Sequence, residues 1–168
     1  MIAKKIMMLG EIGVGKSSLV QRLVFDRFDF NYKPTIGVDV YRFDVPPSPG
    51  REAMSLIVWD TDGNFGEAIF RHVYMREASA AFIVGDLSRR NTLDSMAKLG
   101  CGFRDALPGR HVTFVLNKTD LVSAPARIDI PDELQAFAAP LVKTSAKTGE
   151  NVLQSFIDTA DAIRRRDQ

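Results

Sequence analysis

The sequence Gly10-Glu11-Ile12-Gly13-Val14-Gly15-Lys16-Ser17 has the spacing G-x-x-x-x-G-K-[ST] of a phosphate-binding P-loop. An apolar run at 6–9 precedes it, which is typical of a buried strand. Apolar residues at helical spacing follow it over 18–24. The alternative, a glycine turn beside a surface lysine, does not require this context. The order strand, glycine loop and helix therefore favours a true P-loop.

The chemistry of phosphate binding explains the residue types in this loop. Glycines let consecutive backbone N–H groups approach phosphate oxygens closely, and the N-terminus of the following helix favours an anion. Lys16 is expected to reach the β- and γ-phosphates, and the Ser17 hydroxyl to occupy one position around Mg²⁺. The predicted phosphate-binding residues are Gly13, Val14, Gly15, Lys16, Ser17 and Ser18.

Composition indicates one globular domain that spans residues 1–168. The hydrophobic fraction of 45% and the charged fraction of 26% are ordinary for a globular chain, and the net charge of +1 suggests no nucleic-acid partner. The first residues lack a signal-peptide pattern and the sequence has no long apolar segment, so we expect no signal peptide and no membrane span. A single cysteine, Cys101, excludes an internal disulfide and fits a reducing compartment. We expect a cytoplasmic protein in which Cys101 is a structural thiol on a helix.

The remaining pattern predicts an α/β fold, with strands alternating with helices in a mostly parallel six-stranded sheet covered on both faces. A strong turn at 46–50 joins two strands into a hairpin, which we expect to be an antiparallel pair at the sheet edge. The predicted strands cover about 3–9, 38–45, 54–59, 80–86, 112–116 and 141–142. The predicted helices cover about 15–26, 67–77, 92–106, 131–138 and 151–166, the third fading at Gly100 and Gly102.

Three further segments follow predicted strands and carry polar groups suited to a nucleotide. In Asn117-Lys118-Thr119-Asp120, the Asp120 carboxylate can accept hydrogen bonds from guanine N1 and N2, where adenine has no matching donors. Alone this segment would be a polar turn, but its position after the fifth strand of a P-loop fold makes it a strong signal. Small residues at 144–147 let a backbone N–H approach the edge of a base.

The third segment begins with Asp60 at the end of the third strand. An acid at this point can hold a metal-bound water, and Gly63 can offer its backbone N–H to the γ-phosphate. The alternative is a capping or turn residue.

These segments, in this order and with these gaps, resemble the Ras superfamily of small GTPases, and most closely its Rab-like branch. The resemblance covers 3–164 and also rests on Pro34-Thr35-Ile36-Gly37-Val38-Asp39. It implies a small G-domain of the P-loop NTPase fold that binds GTP or GDP with Mg²⁺. Ser17, Thr35 and Asp60 are the implied metal-site residues. Lys16, Thr35, Gly63 and Asn64 are the implied catalytic residues.

The resemblance also assigns contacts to the base and the phosphates. Thr35 resembles the switch I threonine that senses the γ-phosphate, and Tyr32 the tyrosine that closes over the phosphates. Phe28 resembles the aromatic residue that stacks on guanine, and the backbone N–H of Ala146 the donor to the guanine carbonyl. The implied base-binding residues are Phe28, Asn117, Lys118, Asp120, Ser145, Ala146 and Lys147.

The departures from the family pattern fall on hydrolysis. Relatives usually read D-T-A-G-Q at switch II, whereas 60–64 reads D-T-D-G-N. Asn64 is one methylene shorter than glutamine, Asp62 adds a negative charge, and Ile12 replaces a small residue. We therefore predict slow intrinsic hydrolysis. Neutral drift, or a different catalytic residue, would account for the same departures.

The leading hypothesis is a monomeric molecular switch and slow hydrolase, whose switch I and switch II bind an effector, an exchange factor and an activating protein in a nucleotide-dependent way. The alternative is a module that binds GTP or GDP with negligible hydrolysis. An ATP-dependent kinase or motor is disfavoured by Asp120 and by the small size. The sequence ends in 164–168 without a cysteine, so we expect no lipidation signal and no stable membrane anchor. We expect the arginines there to complement the carbonyl end of the last helix.

Overall fold

The computed structural model describes residues 1–31, 35–61 and 74–168, and these form a six-stranded sheet in the order β2-β3-β1-β4-β5-β6. The strands are β1 (Ile2–Leu9), β2 (Val38–Asp44), β3 (Met54–Thr61), β4 (Ala80–Asp86), β5 (His111–Asn117) and β6 (Leu141–Lys143). The helices are α1 (Lys16–Phe25), α2 (Arg90–Asp94), α3 (Met96–Ala106), α4 (Asp132–Ala136) and α5 (Val152–Asp167), with 3₁₀ turns at Thr119–Leu121 and Pro125–Arg127.

The sheet has the predicted topology. Strand β2 pairs antiparallel with β3 at one edge, and the other pairings are parallel. Because parallel neighbours need a crossover connection, helices are placed over both faces. The prediction of an α/β sheet with one edge hairpin is confirmed.

Two hydrophobic cores lie on opposite faces of the sheet, and β1 contributes to both. Its alternation sends Ile6 and Met8 into one core, and Met7 and Leu9 into the other. On the first face, Phe82 of β4 stacks on Phe156 of α5, with 4.3 Å between ring centroids. This double burial explains why β1 reads as a continuous apolar run rather than as an alternating strand.

The predicted helix 92–106 was wrong in detail, because the chain forms α2 and α3 with a break at Ser95. The Ser95 hydroxyl donates to the Thr92 carbonyl at 3.1 Å, which competes with regular helical hydrogen bonding. The helix also does not fade at Gly100. A Cβ there would lie 2.9 Å from the Phe114 ring and 3.0 Å from the Phe137 ring. Gly100 therefore allows close packing of α3 on the sheet.

The remaining expectations concern one further helix, Cys101, the arginines near the end of the chain and membrane-spanning segments. The prediction of a helix over 67–77 lies largely outside the described residues. Cys101 lies on α3 as predicted, but its side chain is exposed. Arg164 and Arg166 donate to the carbonyls of Glu52 and Ser79, so they bind carbonyls of neighbouring segments rather than of their own helix. No helix in the described parts of the chain is long and apolar enough to span a bilayer.

The sheet topology positions one polar edge. The carboxyl ends of β1, β3, β4 and β5 lie side by side, with Met8 opposite Asp60 and Asp86 opposite Asn117. Strand β2 runs the other way, so its beginning at Val38 pairs with Thr61 at this same edge. In open α/β sheets, ligands bind outside the carboxyl ends of the strands. The predicted motifs are therefore gathered where a ligand site is expected.

Candidate nucleotide-binding site

The P-loop connects β1 to α1 and has the backbone conformation that its glycines permit. Gly10, Gly13 and Gly15 all have positive φ angles, of 146°, 78° and 104°. A Cβ on Gly15 would lie 2.2 Å from Nδ2 of Asn117. Glycine at position 15 is therefore required twice, by its left-handed backbone and by the close approach of the Asn117 amide.

Lys16 crosses the inside of the P-loop. Its Nζ donates to the carbonyls of Gly10 at 2.6 Å and Glu11 at 2.9 Å, and the residue is only 6% exposed. A buried ammonium needs compensating acceptors, which these carbonyls supply. These two bonds hold the Lys16 ammonium group beside the P-loop, where the sequence motif predicts that it contacts phosphate.

Three other side chains bind the next three carbonyls of the loop. Arg89 donates to Ile12 at 2.8 Å, Lys118 to Gly13 at 2.7 Å, and Asn117 to Val14 at 3.0 Å. Within one peptide unit the N–H and C=O groups point in opposite directions. Because these three carbonyls point toward the side chains that bind them, the N–H groups of the same peptide units face the opposite side of the loop. Successive N–H groups arranged in this way form an anion-binding nest.

Three oxygen-bearing side chains meet beside the beginning of α1. The Ser17 and Thr35 hydroxyls are 2.6 Å apart, and the Ser17 hydroxyl also donates to the Asp60 carboxylate. Ser17 comes from α1, Thr35 from the segment before β2, and Asp60 from the end of β3. The structure thus brings all three predicted metal-site residues together. Two hydroxyls and one carboxylate form a hard oxygen donor set that suits Mg²⁺.

Asp60 shows why a cation fits this position. It is fully buried, and burial raises the pKa of its carboxyl group, against the lowering effects of the Ser17 hydrogen bond and the Lys16 charge. Within the described residues, Asp60 Oδ1 is a buried atom without a hydrogen-bond partner. An unpaired oxygen of a buried carboxylate is costly unless a cation compensates it. The residues present therefore fit Mg²⁺.

Asn117 links the P-loop to the predicted base-binding segment 144–147. Its Oδ1 accepts from the Thr144 hydroxyl at 3.0 Å and from the Ala146 N–H at 3.3 Å, while its Nδ2 binds Val14. Asn117 is 1% exposed. Its amide uses both donor and acceptor ends in this arrangement. The side chain therefore positions the loop rather than being free to follow a ligand.

The predicted guanine-selective carboxylate is also oriented. Asp120 is exposed, and its Oδ1 accepts a hydrogen bond from the Ser145 hydroxyl at 2.7 Å. Ser145 is fully buried and receives the backbone N–H of Thr148 on its hydroxyl at 3.1 Å. Asp120 is thus held by one oxygen, which leaves the other available for donors of a ligand.

Phe28, the predicted aromatic contact to guanine, packs against other side chains near the site. Phe28 is half-buried against the first core and makes an edge contact with Phe30, with ring centroids 5.0 Å apart. Nζ of Lys147 lies 5.4 Å from the centroid of the Phe30 ring. Phe28 and Lys147 therefore flank the base-binding side of the site. Three predicted site residues lie outside the described residues: Tyr32, Gly63 and Asn64.

Sequence reasoning missed Asp86. This nearly buried residue ends β4 and pairs with Lys118 at 2.8 Å and with Arg89 at 3.2 Å. Burial opposes its ionisation, but hydrogen bonds from Lys118 and Ser88 hold the pKa of Asp86 below its ordinary value. Asp86 therefore fixes two of the cations that bind the P-loop. Its position at the end of a buried strand, like that of Asp60, was the available signal.

Comparison with known proteins agrees with this site. A sequence model of the Ras family matches residues 5–165. The chain is 32% identical over 166 residues to Ras-related protein Rab-22A of Canis lupus familiaris, which covers 97% of this chain and 84% of the relative. It is 33% identical over 156 residues to Ras-related protein Rab-31 of Rattus norvegicus, which covers 90% of this chain and 78% of the relative.

The fold and the site define a P-loop protein with a small G-domain. The chain belongs to the Ras family, and it is a Rab-like GTPase. The predicted class of protein is confirmed, together with its general role as a small GTPase switch.

Proposed function

We propose that this GTPase binds GTP and GDP with Mg²⁺ and hydrolyses GTP slowly. The observation that carries the proposal is the meeting of Ser17, Thr35 and Asp60. When bound, Mg²⁺ supplies a Lewis acid that neutralises charge on the β- and γ-phosphates. Ser17 and Asp60 lie on regular elements, whereas Thr35 lies before β2, so Thr35 is the member that links nucleotide state to the surface around it.

The proposed partners are proteins whose binding depends on the nucleotide state that Thr35 senses: an effector, an exchange factor and an activating protein. Ile36, next to Thr35, is 92% exposed, and Val40 on the edge strand β2 is 52% exposed. Exposed apolar side chains beside a nucleotide-sensing residue suit a protein interface. The exposed, unpaired Cys101 fits a reducing compartment, so we place the protein in the cytoplasm.

Replacing Ser17 with asparagine is expected to lower GTP affinity about tenfold more than GDP affinity. Asparagine is longer than serine and has no hydroxyl to contact Thr35 and Asp60, so the Mg²⁺ site should be disrupted. GTP binding should depend on this site more than GDP binding does, because GTP carries the additional charge of the γ-phosphate. Competitive binding with fluorescent GDP, at several Mg²⁺ concentrations, measures both affinities. The control Thr35→Ser keeps the hydroxyl that faces Ser17 and should bind like wild type. Equal losses for GTP and GDP would contradict the proposed switch.

Slow hydrolysis is the second expected property. Ile12 is 41% exposed, so a branched side chain lies partly at the surface of the P-loop. Catalysis in this reaction class is mainly positioning and charge stabilisation. By the family resemblance, Asn64 reaches less far than glutamine toward the attacking water, and Asp62 adds negative charge. All three departures oppose the transition state in the same direction.

The double variant Ile12→Gly with Asn64→Gln should therefore raise the single-turnover rate about tenfold, with little change in GTP affinity. Phosphate release from protein preloaded with GTP, at saturating Mg²⁺, gives the rate. Leu153→Ala, which removes an exposed aliphatic side chain on α5, is the matched control. A double variant slower than wild type would show that another residue supplies the chemistry.

The alternative is a nucleotide-binding module with negligible hydrolysis, and the exposed Ile12 side chain favours it. The Ile12 side chain would obstruct the arginine of an activating protein and would also crowd the residue that positions the attacking water. The same single-turnover measurement, repeated with added cell lysate, separates the two functions. A rate that lysate increases supports a regulated hydrolase, whereas no phosphate release under either condition supports the binding module.

A further inference from the structure

Arg22 lies on α1, beyond the phosphate-binding end of that helix, and it reaches the base-binding loop. Its Nε donates to the Ala146 carbonyl at 2.9 Å, and its Nη2 donates to the Lys147 carbonyl at 2.6 Å. Its remaining guanidinium nitrogen, Nη1, binds the Asp26 carboxylate at 3.1 Å. All three nitrogens of the fork are thus engaged, two of them on consecutive carbonyls of one loop.

The environment of Arg22 makes these bonds strong. Its side chain is 18% exposed, whereas that of Asp26 is 93% exposed. A guanidinium is a rigid, permanently charged fork, and it makes two charge-assisted bonds to the loop, of which the bond to Ala146 is partly buried and the bond to Lys147 is exposed. The ion pair with Asp26 is a single contact to an exposed carboxylate, and such pairs contribute little. The contact to the loop therefore dominates over the contact to Asp26.

The two bonds fix the peptide planes that follow Ala146. The plane that carries the Lys147 carbonyl also carries the Thr148 N–H, which donates to the Ser145 hydroxyl at 3.1 Å. That hydroxyl donates in turn to Asp120 at 2.7 Å. A continuous chain of hydrogen bonds therefore runs from Arg22 on the phosphate-binding helix to the carboxylate expected to read guanine.

We propose that Arg22 is a positioning residue that controls nucleotide release by holding the 144–147 loop against the guanine base. This inference rests on the proposed binding of guanine nucleotides and adds a determinant of their residence time. A surface arginine of α1 would affect only the stability of the helix. An arginine that holds the base loop should affect dissociation of GDP and GTP alike, because both nucleotides carry the same base.

The test measures dissociation of fluorescent GDP and GTP from the full chain by displacement with excess unlabelled nucleotide. Arg22→Ala should release both about tenfold faster than wild type, since it loses two charged hydrogen bonds to the loop. Arg22→Lys keeps the charge but cannot bind both carbonyls with a rigid fork, so it should fall between them. The matched control Asp26→Asn removes only the exposed ion pair and should stay within about twofold of wild type.

A second readout separates positioning of the base loop from a general loss of structure. The 2-aminopurine analogue of GDP lacks the 6-carbonyl that the loop is expected to bind, and it also lacks the N1–H donor whose hydrogen bond Asp120, at the end of the same hydrogen-bond chain, is expected to accept. Arg22→Ala should therefore reduce the preference for GDP over this analogue about tenfold. An unchanged preference, or GDP release from Arg22→Ala at the wild-type rate, would overturn the role of Arg22. Failure of the wild-type chain to bind GDP would instead overturn the proposed function, and the role of Arg22 with it.

Discussion

Replacing Asp120 with asparagine is expected to change the preferred base from guanine to xanthine. The two carboxylate oxygens match the N1 and N2 donors of guanine, and Ser145 occupies only one acceptor position on Oδ1. Xanthine carries a carbonyl in place of the N2 amino group, and an asparagine amide can donate to it. We expect GTP affinity to fall about 100-fold or more, because a site built for particular hydrogen bonds rejects a base that leaves them unpaired. The relative affinities for GTP and XTP are measured by competition of each nucleotide with a labelled nucleotide already bound to the protein.

The structure also provides a control for this exchange of specificity. Ser145 donates to Oδ1 of Asp120, and the same bond to an asparagine would turn Oδ1 toward Ser145 and Nδ2 toward the base. Ser145→Ala in the Asp120→Asn background should therefore lose part of the gain in XTP affinity. If wild type binds ATP as tightly as GTP, or if Asp120→Asn keeps full preference for GTP, Asp120 does not select the base.

The sequence predicted the sheet and the motif positions because their signals are local. The continuous apolar run of β1 reports burial on both faces, and the Pro-rich turn at 46–50 reports a hairpin. Four of the five motifs follow parallel strands, whose carboxyl ends lie at one edge of the sheet, and the fifth precedes β2, which runs the other way and so begins at that same edge. Ser17, Thr35 and Asp60 meet for this reason, although 43 positions separate the first from the last.

Apart from Asp86, the roles that the sequence did not predict depend on contacts that have no local signature. Arg22 looks like one more polar position on an amphipathic helix, but the fold brings Ala146, 124 positions further along the chain, into contact with it. Arg89 reaches Ile12 only because β1 and β4 are neighbours in the sheet. Gly100 looks like a helix breaker, but the Phe114 and Phe137 rings require its small size. Long-range packing decided each of these roles over local propensity.

Asn117 carries the second large expectation, because it joins the P-loop to the base-binding loop. Asn117→Ala removes one donor and one acceptor, which leaves the Val14 carbonyl, the Thr144 hydroxyl and the Ala146 N–H without this partner. Buried groups that lose their hydrogen bonds cost about 1–3 kcal/mol each, and losses within one network do not simply add. We expect the free energy of unfolding to fall by about 3 kcal/mol and nucleotide affinity by about 100-fold. Denaturant titration and competitive GDP binding measure the two effects.

Asn151 is a matched control for that experiment. Its Nδ2 also donates to a backbone carbonyl, that of Lys143 at 2.9 Å, but Asn151 is exposed and water can replace the bond. Because Asn151 has a left-handed backbone (φ 57°) at the N-cap of α5, Asn151→Ala should cost about 1–2 kcal/mol of stability but leave GDP affinity unchanged. Asn117→Asp sharpens the comparison, because it keeps the acceptor for Thr144 but turns an oxygen toward the Val14 carbonyl, now 3.0 Å from Nδ2. If Asn117→Ala behaves like Asn151→Ala in both measurements, other contacts hold the P-loop and the base-binding loop together. In that case Asn117→Asp should also show no effect of repulsion between its carboxylate and the Val14 carbonyl.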